Sequence, residues 1–303
     1  MIKIKNFIKR IFFFIVCACV LISAPIFALN LNKSASAEGE KEVITLWQID
    51  SFEGGKGSRA TYLQNIVNKF SKNKNCIITV ISLNANAARL NICDGKVPDL
   101  ISYGAGFYGI ENLIDGYKTW CNGGYCLLTL GGNADFSDVS KDNTIINAGI
   151  DNFVQAATLF CGLNGATVDK PTGAYVKLIS GKFKYLLGTQ RDIMRLKTRE
   201  EVFSVKPITI FNDLYQNISV ICKSAKKKKI ANEFIDYLID NKDNLSKIGL
   251  FSGSSKLYSD EMSIMESITY EYKLISPISE SIKNEISSAL INCDENKLKK
   301  LLK

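Results

Sequence analysis

Between residues 43 and 103 the chain alternates buried strand, amphipathic helix, buried strand, helix, buried strand, and few folds accept that order. Val43-Ile-Thr-Leu-Trp-Gln-Ile-Asp50 is an apolar run entering the polar, glycine-rich loop Ser51-Phe-Glu-Gly-Gly-Lys-Gly-Ser-Arg59. Tyr62, Leu63, Ile66, Val67 and Phe70 then recur at helical spacing. A second strand is expected at 77–81, a helix at 87–93 closing on Asp94-Gly95, and a third strand at 98–103. Such alternation predicts an α/β domain with a mainly parallel sheet and right-handed crossovers. In open sheets of this kind ligands sit beyond the carboxyl ends of the strands, which directs attention to the loops after residues 49 and 103.

The rest of the chain reads as a second lobe and a return. Residues 119–132 hold Trp120, Cys121, Asn122 and paired glycines ahead of Tyr125-Cys-Leu-Leu-Thr-Leu130, a crossing segment. Helices are expected at 150–160 and 174–179 and a short strand at 184–187, ending at Gly188-Thr-Gln-Arg-Asp192. Residues 203–216 form the return crossing, and 218–222 a strand back in the first lobe. The final third is helical: Ile230, Phe234, Ile235 and Leu238 share one face, residues 248–252 break the pattern, and helices follow at 261–272 and 281–302. No internal repeat or low-complexity tract is evident. The expected division is a signal peptide over 1–37, first lobe over 38–118, second lobe over 119–215, return over 216–252, and C-terminal helices over 253–303 completing the second lobe.

The N-terminus has the order of an export signal. Lys3, Lys5, Lys9 and Arg10 precede an apolar run over 11–29, and Ala35-Ser-Ala37 forms a cleavage motif before Glu38. An uncleaved anchor is the alternative, since the run approaches bilayer-spanning length, and Cys17 or Cys19 would be the lipidation residues of a third reading. Residues 1–37 carry five cations and no acids, so the net charge of +8 falls to +3 without them. The basic balance therefore belongs to export and argues against a nucleic-acid partner.

Seven of nine cysteines lie beyond that segment, odd in number and scattered, unlike a dense disulfide framework. Cys121 and Cys126 are the one local pair whose spacing allows a bridge; otherwise these are small buried hydrophobes. The chain contains no histidine, which removes Ser-His-Asp and Cys-His chemistry and the His-containing zinc sites. No cofactor is expected.

Several motifs carry two readings. Gly104-Ala-Gly-Phe-Tyr-Gly109 matches a dinucleotide fingerprint, but a lone match in an exported chain reads better as a strand-end loop at a ligand cleft, with Tyr103 or Phe107 as a stacking surface. Lys226 to Lys229 are a solvated helix face rather than a nucleic-acid patch, having no interleaved aromatics. Asp50 and Glu53 are either a catalytic carboxylate pair or acceptors for ligand hydroxyls, and without other catalytic signals binding is favoured. Trp47 reads as core, whereas Trp120 offers an indole face and donor suited to a sugar ring. Arg191 is either a ligand clamp or half of a structural pair with Asp192 or Asp213.

Five segments occur in a telling order: Leu46-Trp-Gln-Ile-Asp-Ser-Phe-Glu-Gly-Gly-Lys-Gly-Ser-Arg59, Lys96-Val-Pro-Asp-Leu-Ile-Ser-Tyr103, Gly188-Thr-Gln-Arg-Asp192, Phe211-Asn-Asp-Leu-Tyr-Gln216 and Phe234-Ile-Asp-Tyr-Leu238. Over residues 43–300 the chain resembles the family 1 extracellular solute-binding proteins of ABC importers, the group that includes maltose-binding protein. Its second lobe is shorter than usual there, and its cysteines are unusual. The resemblance implies a two-lobed periplasmic-binding-protein-like fold of type II, hinge closure on a ligand between lobes, and a carbohydrate cargo delivered to an ABC transporter permease by an exported monomer. Carried over by position, the ligand residues are Asp50, Glu53, Arg59 and Tyr103 from the first lobe, Trp120 and Asn122 near the hinge, Gln190 and Arg191 from the second lobe, and Asn212, Asp213 and Tyr215 on the return. A surface glycoside-active enzyme using Asp50 and Glu53, or a ligand sensor for a membrane receptor, are the competing expectations.

Overall fold

A computed structural model describes residues 41–52, 57–72, 74–147 and 155–302. The export signal and Glu53 lie outside the described residues, as does the start of the helix expected from residue 150. The chain divides into one compact unit of Met1–Val43 with Lys74–Ile77 and another of Ile44–Asn73 with Ile78–Lys303, and the second holds the elements that follow apart from the opening residues of two strands.

The first sheet contains β1 (Glu42–Ile49), β2 (Cys76–Leu83), β3 (Leu100–Gly104), β4 (Lys118–Asn122) and, returning late in the chain, β11 (Tyr215–Val220), in the order β2-β1-β3-β11-β4. All five residues of β3 are buried, as a central strand covered on both faces requires. It runs parallel to β1, pairing Leu46 with Leu100 and Trp47 with Ile101, whereas β11 runs antiparallel to both β3 and β4. Helix α1 (Arg59–Ser71) starts on Ser58, whose hydroxyl accepts from Thr61 N, and buries the stripe Tyr62, Leu63, Ile66, Val67 and Phe70. A second helix completes that layer across a Phe70–Phe234 edge contact 5.5 Å between centroids. The opposite face packs Trp47, Ile49, Ile101, Tyr103, Phe107 and Ile110 around Ala88 of α2 (Ala85–Cys93), so Trp47 is core.

The second sheet repeats this plan. It is built from β5 (Tyr125–Leu130), β6 (Thr144–Asn147), β7 (Thr167–Asp169), β8 (Tyr185–Thr189) and β9 (Phe203–Pro207), ordered β7-β6-β8-β5-β9. β6 runs parallel to β7 and β8, while β5 is antiparallel to β8 and β9. Each sheet thus takes its antiparallel strand, second from one edge, from a segment that has just crossed over from the other. The repeat is one of topology and left no trace as sequence similarity.

Helices α3 (Gln155–Phe160), α4 (Pro171–Ile179) and α5 (Gln190–Thr198) join the second sheet's strands. α5 begins in a capping box, the Thr189 side chain accepting from the backbone while Asp192 accepts from Thr189 N at 3.1 Å. Its Ile193 and Leu196 pack with Leu128, Ile145, Leu178 and Leu186, and the core is extended by Phe251, Met262 and Met265.

The C-terminal third departs from the expected elements. Helix α6 (Ala225–Asp240) carries the predicted Phe234–Leu238 stripe. Over 261–272, however, the helix is only α7 (Ser263–Glu266), followed by a two-residue strand β12 (Tyr272–Lys273) parallel to β10 (Phe211–Asn212). The expected final helix is two, α8 (Glu280–Ile291) and α9 (Glu295–Leu301), because Cys293 adopts a left-handed φ of 53° between them. This region also touches the first lobe, where Gly106 N donates to Ser276 O at 3.3 Å. β6 and β7 were missed because four- and three-residue strands carry too little periodicity to read.

Cys121 and Cys126 are both thiols, so the bridge between them does not form; these two sit buried in β4 and β5, in different sheets. The lysine run is engaged rather than merely solvated: Lys227 Nζ donates to Asp99 at 3.0 Å and Lys228 Nζ to Asp115 at 2.9 Å.

Candidate functional site

A groove of about 580 Å³ opens beyond the carboxyl ends of β1, β2 and β3. Its base is formed by Ile49, Ser51, Gly104 and Ala105, one wall by the β2–α2 turn from Ser82 to Arg89, and the other by Phe107 and by Lys283 of α8. The geometry follows from the strand-end loops. Gly104 is glycine because a Cβ there would overlap the Oγ and Cβ of Ser51, and Gly106 and Gly109 hold φ values of 73° and 87°. Close approach and left-handed backbone therefore account for the G-x-G-x-x-G spacing, with no dinucleotide needed.

The groove is polar and carries positive charge. Asn84 caps α2, its side-chain oxygen accepting from Ala87 N at 2.8 Å, so the first N–H groups of a nine-residue helix face that end of the groove. Arg89 donates to Asn86 Oδ1, and its guanidinium lies 4.4 Å from the Tyr108 ring centroid. Lys283 Nζ lies 4.7 Å from the same centroid, so one ring holds two cations at the groove. Asp50 also lines it, but its Oδ1 accepts from Arg59 Nε at 2.8 Å and from Gln48 Nε2 at 3.0 Å. Its charge is balanced by Arg59, and Arg89 and Lys283 line the groove beside it. Ser51 Oγ is enclosed and finds no hydrogen-bond partner among the described residues.

Most residues expected from the resemblance lie elsewhere. Arg59 is buried, stacked 4.3 Å from the Phe52 ring centroid and donating to Asp50 and to Phe52 O, so it holds the residues that leave β1. Tyr103 is 0% exposed, its hydroxyl 3.3 Å from Ser219 Oγ. Trp120 is likewise 0% exposed: the indole N–H donates to Ser102 Oγ at 3.0 Å and the ring stacks on Tyr62 at 5.7 Å. Neither ring presents a face to a solute here, which corrects the stacking role expected of them; large aromatics with a satisfied polar tip fill a core well. Phe107, the other aromatic named for stacking, does line the groove.

A second group gathers at the crossing between lobes. Gln190 Oε1 accepts from Gly124 N at 3.0 Å while Gln190 N donates to Gly124 O at 3.1 Å. Asn212 Nδ2 donates to Gly123 O at 3.1 Å and its Oδ1 accepts from Leu214 N at 3.1 Å. Asn122 pairs through its backbone with Phe251, at 3.0 and 2.9 Å. Tyr125 donates its hydroxyl to Asp213 at 2.6 Å. Tyr215 is buried, and that burial pushes its phenol up to about 12. The Gln190 and Asn212 amides bond the crossing backbone, and a Cβ on Gly123 would come within 2.6 Å of the Gln190 amide. Arg191 lines a separate cavity on the second lobe, and its neighbour Asp192 pairs with Arg195 at 3.0 Å.

The groove residues that sequence reasoning missed are Ser51, Ser82, Asn84, Asn86, Arg89 and Lys283. The first five had a readable signal, since they flank strand carboxyl ends. Lys283 had none, because only the tertiary fold brings α8 to that wall.

No family model matches the chain, and no curated protein matches it by sequence. Among solved structures, apo FutA2 from Synechocystis PCC6803 superposes with a TM-score of 0.54 at 9% identity, covering 86% of this chain and 99% of that one. Iron-bound HitA from Pseudomonas aeruginosa gives 0.51 at 11% identity, covering 84% and 99%. An ABC uptake transporter substrate binding protein from Streptococcus pneumoniae with bound histidine gives 0.45 at 16% identity, covering 73% and 95%. The fold is the two-lobed, periplasmic-binding-protein-like α/β arrangement.

Proposed function

We propose that the chain is an exported solute-binding protein that holds a small solute bearing a negative group in the groove at the carboxyl ends of β1, β2 and β3, and presents it to an ABC transporter permease. The observation that carries the reading is the pairing of Arg89 and Lys283 on Tyr108, beside the N-terminus of α2 and the enclosed Ser51 hydroxyl, with the nearby Asp50 already balanced by Arg59. The fold and the export-type N-terminus support it. In this reading the open form binds weakly, contacts to both lobes stabilise a closed form, and the permease reads that closed shape. A micromolar solute corresponds to about −8 kcal/mol, within reach of a few charge-assisted hydrogen bonds.

The carbohydrate implied by the family 1 resemblance is the second reading, and Asp50, Asn84 and Asn86, all lining the groove, favour it as partners for hydroxyls. A metal cargo is less favoured: although HitA is iron-bound, no three His, Cys, Asp or Glu side chains gather among the described residues here. Binding is favoured over catalysis because Asp50, the described half of the expected carboxylate pair, is held as an ion-pair partner.

Calorimetric titration of the purified protein with dicarboxylates, amino acids, inorganic anions and sugars tests this. Saturable one-to-one binding of an anion-bearing solute, weakened at least tenfold in Arg89→Gln and in Lys283→Gln, is expected. Binding of neutral sugars alone, unaffected by either variant, would refute the anionic reading and favour the carbohydrate one.

A further inference from the structure

We propose that α5 and Tyr175 build a second binding site on this chain, an oxyanion pocket on the second lobe that shares no residue with the groove. Arg191, Arg195 and Arg199 recur every four residues, so they lie along one side of α5 and its C-terminal end, and all three line a cavity of about 450 Å³. The other lining includes Thr172 and Tyr175 of α4 and, from the loop ahead of α1, Gly57.

The independent observation is Tyr175. It is 5% exposed, its ring lines the cavity, and its hydroxyl is enclosed without a hydrogen-bond partner among the described residues. A buried phenol with nothing to bond is costly to leave so, and native structures rarely do it without a reason. The guanidinium carbons of Arg195 and Arg199 stand 5.5 and 5.6 Å from its ring centroid, flanking the donor with two planar forks. Arg195 also donates to Asp192 at 3.0 Å and to Pro171 O at 3.3 Å, which fixes its position. The acids acting on this neighbourhood are Asp192, buried and engaged by Arg195 and Asn147, and Glu201. Three guanidinium groups thus line one cavity. A phosphate or carboxylate group fits that chemistry: several planar donors, one phenolic O–H, and a partly enclosed space. Because Gly57 belongs to the first lobe, an anion here would also touch both halves of the fold.

The test is thermal denaturation and calorimetry of the purified protein with inorganic phosphate and, separately, citrate, at ionic strength held constant with sodium chloride. Saturable stabilisation by at least one of the two is expected. Arg199→Gln should weaken it at least tenfold, and Arg199→Lys, which keeps the charge but loses the fork, should weaken it less. Tyr175→Phe should weaken it several-fold while leaving the unliganded protein no less stable, since it removes a hydroxyl that bonds nothing among the described residues. Arg89→Gln, in the groove, should leave it unchanged. No saturable effect of either anion, or an effect retained in both Arg199→Gln and Tyr175→Phe, would overturn the pocket. An effect abolished by Arg89→Gln would assign the anion to the groove and overturn it equally, while leaving the proposed function standing.

Discussion

Replacing Gly104 with alanine isolates the steric logic of the groove base. The backbone tolerates a side chain there, since Gly104 is not among the positive-φ glycines, so the substitution should gain about 0.4–1 kcal/mol through a stiffer unfolded chain. Against this stands overlap of the new methyl with Ser51 Oγ and Cβ, while Ser51 Cα lies 3.3 Å away. A hydroxymethyl group cannot be accommodated by small relaxation when both of its heavy atoms are displaced. Overpacking of this kind costs about 1–3 kcal/mol. The balance is a net loss of about 1–2 kcal/mol, or a Tm lowered by roughly 2–8 °C for a chain of this size. Ser51 must swing into the groove, so solute affinity should fall as well. Differential scanning calorimetry of Gly104→Ala, Ser51→Gly and the double variant measures the coupling directly. The double variant should recover most of the Tm lost by Gly104→Ala. A Gly104→Ala protein with wild-type Tm, or a double variant as unstable as the sum of the singles, would refute the reasoning.

Other expectations follow from the same contacts. Trp120→Ala removes a fully buried indole that stacks on Tyr62 and donates to Ser102 Oγ, so a loss of about 3–5 kcal/mol in urea denaturation is expected; a stable variant defective only in solute binding would restore the stacking role. Asp50→Asn leaves the buried Arg59 guanidinium without its charge partner and should cost about 1–3 kcal/mol, moderated by the 38% exposure of the Asp50 side chain; unchanged chemical denaturation would contradict the bracing role. Burial pushes the Cys121 thiol up to about 12 and the Cys161 thiol up to about 11 from an ordinary value near 9. Groups raised on folding stabilise fully below the unfolded value and lose that contribution as pH climbs through the folded one. Stability should therefore fall between about pH 9 and 11 by up to roughly 1.4 kcal/mol per pH unit for each thiol. Cys121→Ala should flatten part of that slope, and an unchanged slope in this variant would oppose the assignment.

The fold was more legible than the site, and particular residues show why. The stripes Tyr62–Phe70 and Phe234–Leu238 and the apolar runs of β1 and β3 state their structure locally, because one buried face repeats at a fixed period. Cys293 ends a helix through a left-handed φ that a cysteine rarely adopts, so no turn residue announced the break. Trp120 and Tyr103 have the chemistry of ligand-stacking residues and also of satisfied core residues, and only burial separates the two. Gln190 and Asn212 lie where the chain crosses between lobes, yet their amides bond Gly124 and Gly123, a demand set by backbone groups that sequence does not display. Arg89 and Lys283 meet on Tyr108 across nearly two hundred residues of chain, a juxtaposition that belongs to the tertiary fold alone.

Hydrogen–deuterium exchange with and without a saturating anion-bearing solute tests the central claim most directly, since it reports where the solute is held as well as whether it binds. The account predicts slowed exchange at the N-terminus of α2, over residues 84–89, and in the loop 104–107, together with the α8 segment around Lys283. Protection confined to other parts of the chain, with these segments unchanged at saturation, would contradict it.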